Sequence, residues 1–199
     1  MMLIITGPGR SGTSVLALFC RQMGFEPGGA WHDSVNAGLE DEQIVRMNDA
    51  MLSEIHRTGK AIRTLETYQS TIQSIAHPVI KDPRFTFHPG LIRAWRSVRN
   101  DLKVLLTYRT PEHSLKSRKR LPGLLHRNQN TPDLIRRQFA DCVETLLEEN
   151  IPFRMLLFPK FLTQYDKVYA AFSDLGLTFD KAEGARVWEG LVDPKKVHF

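Results

Sequence analysis

Residues 6–14 read Thr6-Gly7-Pro8-Gly9-Arg10-Ser11-Gly12-Thr13-Ser14, and these are residue types that can grip a phosphate. Glycines let backbone N–H groups turn inward, a following helix lends its positive N-terminal end, and the hydroxyls of Ser11, Thr13 and Ser14 add donors. The context fits: an apolar run precedes the loop and Val15, Leu16, Leu18 and Phe19 follow it with helical spacing. Gly7 and Gly12 have the spacing of the nucleotide-binding pattern GxxxxGK[ST], with Ser14 in its last place. Thr13 stands where that pattern has lysine, and the cation is instead Arg10, inside the loop. The plainer alternative is a strand-to-helix turn that holds no ligand.

A second set of residues lies a hundred positions on. The run 104–108 ends in Arg109, Pro111 follows two residues later, and Ser117 comes eight after the arginine. An arginine at the carboxyl end of a parallel strand can reach a ligand in the crevice there. A serine two turns into the next helix can donate to the same phosphate. Singly, Arg109 is a surface arginine and Ser117 a solvated helix residue; with the first loop they gain weight. Arg118, Lys119 and Arg120 either add positive potential or form a solvated face.

Elements must exist to hold these groups together. Four short apolar runs, 3–6, 79–80, 104–108 and 154–158, read as strands, three of them without the alternation of a half-exposed sheet. Helical spacing fills the intervals at 13–23, 40–56, 62–76, 87–98, 111–119, 132–149 and 161–175. Strands alternating with helices predict an α/β chain: a three-layer sandwich with a mostly parallel central sheet, in a single domain over 1–199. Segment 120–131, rich in turn formers, is expected to be a loop or lid. The loops 24–38, 58–62 and 120–131 are expected to shape the pocket of a second substrate.

Composition bounds the partners. In 199 residues, 27 Lys and Arg exceed 22 Asp and Glu, a net charge of +5 that suits an anionic ligand. The basic residues are scattered, with no interleaved aromatic pattern, which argues against nucleic acid. No apolar run approaches the roughly 18 residues of a membrane span. The N-terminus lacks the features of a signal peptide. Cys20 and Cys142 suggest no disulfide framework, so a reducing, cytoplasmic setting is expected, with both thiols as buried small hydrophobes.

Arg10-Ser11-Gly12-Thr13-Ser14 after a strand resembles the 5′-phosphosulfate loop of sulfotransferases, and Arg109-Thr110-Pro111 with Ser117 is similar to their 3′-phosphate motif. Val79-Ile80-Lys81-Asp82-Pro83-Arg84 looks like the Lys-Asp-Pro-Arg motif of the family's bacterial branch. Asn36-Ala37-Gly38-Leu39-Glu40 resembles its Asn-Pro-x-Gly-x-x-Glu segment, with Ala37 for proline and one residue fewer before the glutamate. Phe158-Pro159-Lys160-Phe161-Leu162 looks like its Phe-Pro-x-x-Leu step. The likeness runs over residues 3 to 176. The last 23 residues match poorly and carry no counterpart of the family's C-terminal Arg-Lys-Gly segment.

The resemblance implies a P-loop-like sulfotransferase fold and the donor 3′-phosphoadenosine 5′-phosphosulfate, used without a metal. Gly9, Arg10, Ser11, Gly12, Thr13 and Ser14 would hold its 5′-phosphosulfate, and Arg109 and Ser117 its 3′-phosphate. Arg10 would bridge the 5′-phosphate and the sulfuryl group, neutralising the bridging oxygen as the bond breaks. The acceptor, a hydroxyl or amine on a lipid, saccharide or small metabolite, carries no signature.

Sulfuryl transfer needs a group to take the acceptor's proton. Glu40 is the first candidate, set against a second role in which Glu40, Asp41 and Glu42 simply favour a helix start. His32, beside Asp33, is the second. Asp82 is the third, held ionised by Lys81 and Arg84 as a positioning group. The remaining histidines show no spacing for a metal, and Trp31, Trp95 and Trp188 are expected in the core or at its rim. Two other classes stay open: a P-loop small-molecule kinase, with Asp82 on magnesium but no lysine at Thr13, and a non-catalytic nucleotide-binding protein.

Overall fold

β1 (Met2–Thr6) is the sequence MLIIT, buried at all five positions, as an unbroken apolar run covered on both faces requires. A computed structural model describes this strand and its surroundings over residues 1–28, 39–58, 61–118 and 131–192. The further elements are α1 (Thr13–Gln22), α2 (Glu42–Thr58), α3 (Ala61–Ser74), β2 (Val79–Lys81), α4 (Arg84–Phe87), α5 (Pro89–Val98) and β3 (Leu102–Tyr108). After them come α6 (Pro111–Arg118), α7 (Pro132–Glu148), β4 (Phe153–Leu157), a 3₁₀ turn (Lys160–Thr163), α8 (Tyr165–Asp174) and α9 (Lys181–Leu191).

Among the described residues the sheet has four strands in the order β2-β1-β3-β4. Every pairing is parallel; Ile4 lies opposite Ile80 on one side and Val104 on the other. Alternate residues of β1 feed two cores. Met2 and Ile4 pack with Met47 and Met51 of α2, Trp95 of α5 and Leu146 of α7. Leu3 and Ile5 pack with Leu16 and Phe19 of α1, Phe172 of α8 and Trp188 of α9. Helices thus cover both faces, giving the expected α/β/α sandwich. Each fully buried large side chain contributes about 1.5–3 kcal/mol. Among the described residues no helix is long and apolar enough to cross a membrane.

The strand order places the reaction-bearing segments. The chain leaves β1 for β2 on one side, then returns past β1 to β3 on the other. The direction in which the chain adds strands therefore reverses between β1 and β3, and ligands of open α/β sheets bind outside the carboxyl ends of the strands at such a switch point. Residues 7–14 leave β1 there, and Arg109 leaves β3 beside them.

Four expectations change. The helix expected over 40–56 begins at Glu42, and Asp41 caps it, its Oδ1 accepting from the Ile44 N–H at 3.0 Å. The helix expected over 87–98 is α5, starting at Pro89, and a separate short helix, α4, precedes it; His88 (φ −136°, ψ 79°) parts them because Pro89 disfavours a helical residue before it. The helix expected over 161–175 divides into the 3₁₀ turn and α8. α9 was not expected; Asp180 caps it by accepting from the Glu183 N–H at 2.7 Å. The loop or lid expected over 120–131 falls, apart from Thr131, outside the described residues.

Candidate functional site

The loop after β1 is shaped by close approach. A Cβ at Gly7 would fall on the Thr107 hydroxyl and 2.6 Å from the Thr107 carbonyl oxygen, so the loop leaves β1 pressed against β3. Gly12 has φ 87°, a left-handed conformation natural to glycine, and a Cβ there would lie 2.6 Å from the Phe158 ring. Arg10 also has positive φ, 71°. For a non-glycine residue that is strain of the kind that collects at functional sites. α1 then starts with no side-chain cap and no acidic residue in its first turn, so its positive end meets no protein carboxylate on that turn.

The first loop and the residues after β3 meet. Ser11 Oγ and Thr107 Oγ1 are 2.6 Å apart, and Thr107 Oγ1 also donates to the Thr6 carbonyl at 3.3 Å. Arg109 Nη1 donates to the Arg10 carbonyl at 3.0 Å, and its guanidinium sits 4.9 Å from the centre of the Phe158 ring. Arg10 Nε donates to Ser117 Oγ at 3.3 Å. Arg10, Ser11, Gly12, Thr13, Arg109 and Ser117 therefore share one end of the sheet, with Gly9 and Ser14 in the same loop. Thr107 escaped the sequence reading; its only signal is its place two residues before Arg109.

On the other flank of β1, the end of β2 carries a buried ionic cluster. Lys81 Nζ is ion-paired with Glu40 Oε1, and the two residues are 1 % and 2 % exposed. Arg84 Nη1 lies 3.5 Å from Glu40 Oε2 and 3.1 Å from Asp82 Oδ1, while its Nε and Nη2 fork onto Asp49 at 2.6 and 3.1 Å. Asp82 Oδ2 accepts from Asn48 Nδ2 at 2.8 Å, and Asn48 Oδ1 accepts from Trp95 Nε1 at 3.0 Å. Burial works against the charge of Arg84, but the Asp82 and Asp49 carboxylates outweigh it and its pKa rises. Glu40 thus stands before α2 as a buried counter-ion. The expected place in the first helical turn is occupied by Glu42 and its cap by Asp41. His32 lies outside the described residues.

His56, near the end of α2, and His88, between α4 and α5, bring their rings together edge to face, 5.9 Å between centres. Burial first, then His56 and Arg84, hold His88 below the ordinary imidazole value. Both cysteines are buried, and burial pushes their thiols up, Cys142 to about 12, so neither is a nucleophile at neutral pH. Trp95 and Trp188 are core residues, and Trp31 is outside the described residues. Among the described residues no group of three or more His, Cys, Asp or Glu could hold a metal ion.

No family model matches the chain, and no curated protein matches its sequence. Among solved structures it is similar to a sulfotransferase domain from the curacin biosynthetic pathway. The two superpose with a TM-score of 0.52 at 13% identity, over 90% of this chain and 75% of that one. At this identity the likeness establishes a sulfotransferase-like α/β fold; the chemistry has to be argued from the site.

Proposed function

We propose that the chain is a sulfotransferase that takes its sulfuryl group from 3′-phosphoadenosine 5′-phosphosulfate and passes it to a hydroxyl or amine of a small-molecule or saccharide acceptor. The observation that carries the reading is the bond from Arg10 Nε to Ser117 Oγ, 3.3 Å, between residues 107 apart in the chain. It joins the two segments whose residue types suit the two ends of one doubly phosphorylated nucleotide, at the switch point of the sheet.

In this reading residues 9–14 hold the 5′-phosphosulfate, and Arg109 and Ser117 the 3′-phosphate. The acceptor oxygen or nitrogen attacks sulfur in line. The bond from sulfur to the bridging oxygen breaks, and adenosine 3′,5′-bisphosphate leaves with that electron pair. Arg10 neutralises the oxygen as charge grows on it. The acceptor's proton goes to Glu40 or His32. Lys81 pairs with Glu40 Oε1, and Oε2, 3.5 Å from Arg84, is the oxygen from which Glu40 would act as base. The kinase reading is weakened by the occupation of Asp82, whose oxygens are taken by Asn48 and Arg84.

Thermal unfolding with ligands tests the donor assignment. At a hundredfold excess over Kd, adenosine 3′,5′-bisphosphate without magnesium should stabilise by about 2.7 kcal/mol, a rise in Tm of roughly 5–11 °C for a chain of this size. Stabilisation by ATP that depends on magnesium, with none from the bisphosphate, overturns the reading. An acceptor screen with sulfur-labelled donor then supplies the substrate. With it, a fall in turnover of at least about 10²-fold in a Glu40→Gln protein that is still folded and binds the bisphosphate normally, while His32→Asn stays active, assigns the proton to Glu40, and the reverse assigns it to His32.

A further inference from the structure

The inward face of α6 is unusual in its chemistry. Pro111, Ser114 and Ser117, spaced three apart on one side of the helix, are its buried residues, so two hydroxyls stand where an amphipathic helix ordinarily packs aliphatic side chains. Ser117 Oγ accepts from Arg10. Ser114 is 0% exposed, and its Oγ has no hydrogen-bond partner among the described residues. A buried serine in a helix usually donates back to the carbonyl four residues earlier. That oxygen, on Thr110, accepts the Ser114 backbone N–H at 3.0 Å, and the hydroxyl does not join it. Leaving a buried hydroxyl unpaired is unfavourable, so the position demands an explanation.

Ser114 lies about 4.5 Å nearer than Ser117 to the start of α6, by the helical rise of three residues. Helical Cβ atoms tilt toward the N-terminus, so its hydroxyl leans toward the turn that begins two residues after Arg109. In the chain it falls between Arg109 and Ser117, the two residues assigned to one phosphate, and it shares a face of α6 with Ser117.

We propose that Ser114 is a third protein ligand of that phosphate, its hydroxyl donating to the 3′-phosphate alongside Arg109 and Ser117. This rests on the donor reading above. The hydroxyl has no partner among the described residues, and the phosphate would satisfy it. The desolvation cost of that hydroxyl is recovered on binding, which raises the preference for a 3′-phosphorylated nucleotide over one without that group.

The test is calorimetric binding of adenosine 3′,5′-bisphosphate and adenosine 5′-phosphate to wild type and Ser114→Ala, with the Tm of each ligand-free protein. Ser114→Ala should lose affinity for the bisphosphate by about tenfold, the size of a hydrogen bond to a charged group. Its affinity for the monophosphate should be unchanged, and its ligand-free Tm equal to or above wild type. A structural serine would give the opposite sign in Tm. Unchanged affinity for both nucleotides, or an equal loss of both, overturns the proposal and leaves the donor reading standing. A wild type that does not prefer the bisphosphate overturns both. Should Ser114→Ala fail to fold, Ser114→Cys keeps the volume but only a weak donor, and full retention of bisphosphate affinity by that variant overturns the proposal.

Discussion

Glu40→Gln separates three roles that one glutamate can have. As a helix cap its loss costs about 1 kcal/mol or less. As a general base only, its amide isostere folds as well as wild type and does not turn over. The structure gives it a third role: Glu40 at 2% exposure is ion-paired with Lys81 at 1% and lies 3.5 Å from Arg84. Removing one partner of a buried pair leaves the other charge without its counter-ion and costs about 3–5 kcal/mol. Domains of this size have about 5–15 kcal/mol in total, and each kcal/mol is worth about 2–4 °C, so Tm should fall by at least about 6 °C. Urea unfolding of the ligand-free protein measures this with no knowledge of the acceptor. The companion variant is Glu40→Gln with Lys81→Met, which removes both charges and should recover most of the loss. A double-mutant cycle over the pair should therefore show a coupling of well over 1 kcal/mol. A loss under 1 kcal/mol for Glu40→Gln, or no recovery in the double variant, refutes the counter-ion role and returns Glu40 to the base or cap readings.

Four further outcomes follow from the geometry. Arg109→Ala should weaken adenosine 3′,5′-bisphosphate tenfold or more, the loss of a contact worth about 1.5–3 kcal/mol, and adenosine 5′-phosphate far less; calorimetry showing equal losses contradicts the 3′-phosphate assignment. Arg10→Ala should lower turnover more than donor affinity, with Arg10→Lys retaining part of the rate, because the contact strengthens as charge develops on the leaving oxygen; normal turnover at saturating donor sinks that role. Gly7→Ala should destabilise by about 1–3 kcal/mol, since its Cβ would collide with the Thr107 backbone and hydroxyl; a change under 0.5 kcal/mol in urea unfolding says the β1 and β3 ends are looser than described. His88 should titrate below 6.5 in NMR. Its folded value is depressed, so the unfolded chain binds more protons there, and its share of stability is complete above 6.5 and lost as pH falls from 6.5 through the folded value; His56→Asn should raise the His88 value, and no change would remove His56 as a cause.

What the sequence disclosed and what it hid follow from the range of the interactions. β1 and β3 were legible because strands buried on both faces cannot alternate, and the loop between β1 and α1 because only glycine fits at 7 and 12. The break at His88 was also in the text, in Pro89, and α9 in Asp180 with Glu183 three residues on. Glu40 was ambiguous for a local reason: Glu40-Asp41-Glu42 offers three acids to one helix start, and the sequence does not say which is the cap. The helix begins at Glu42, which makes Asp41 the cap and frees Glu40 for another partner. That partner was half announced. Lys81 ends a strand buried at every position, and a buried ammonium needs a carboxylate. Asp82, its neighbour, is engaged by Asn48 and Arg84. The demand for a distant acid was therefore written at residue 81, and only the fold, by bringing the residue two before α2 to the end of β2, shows that residue 40 meets it.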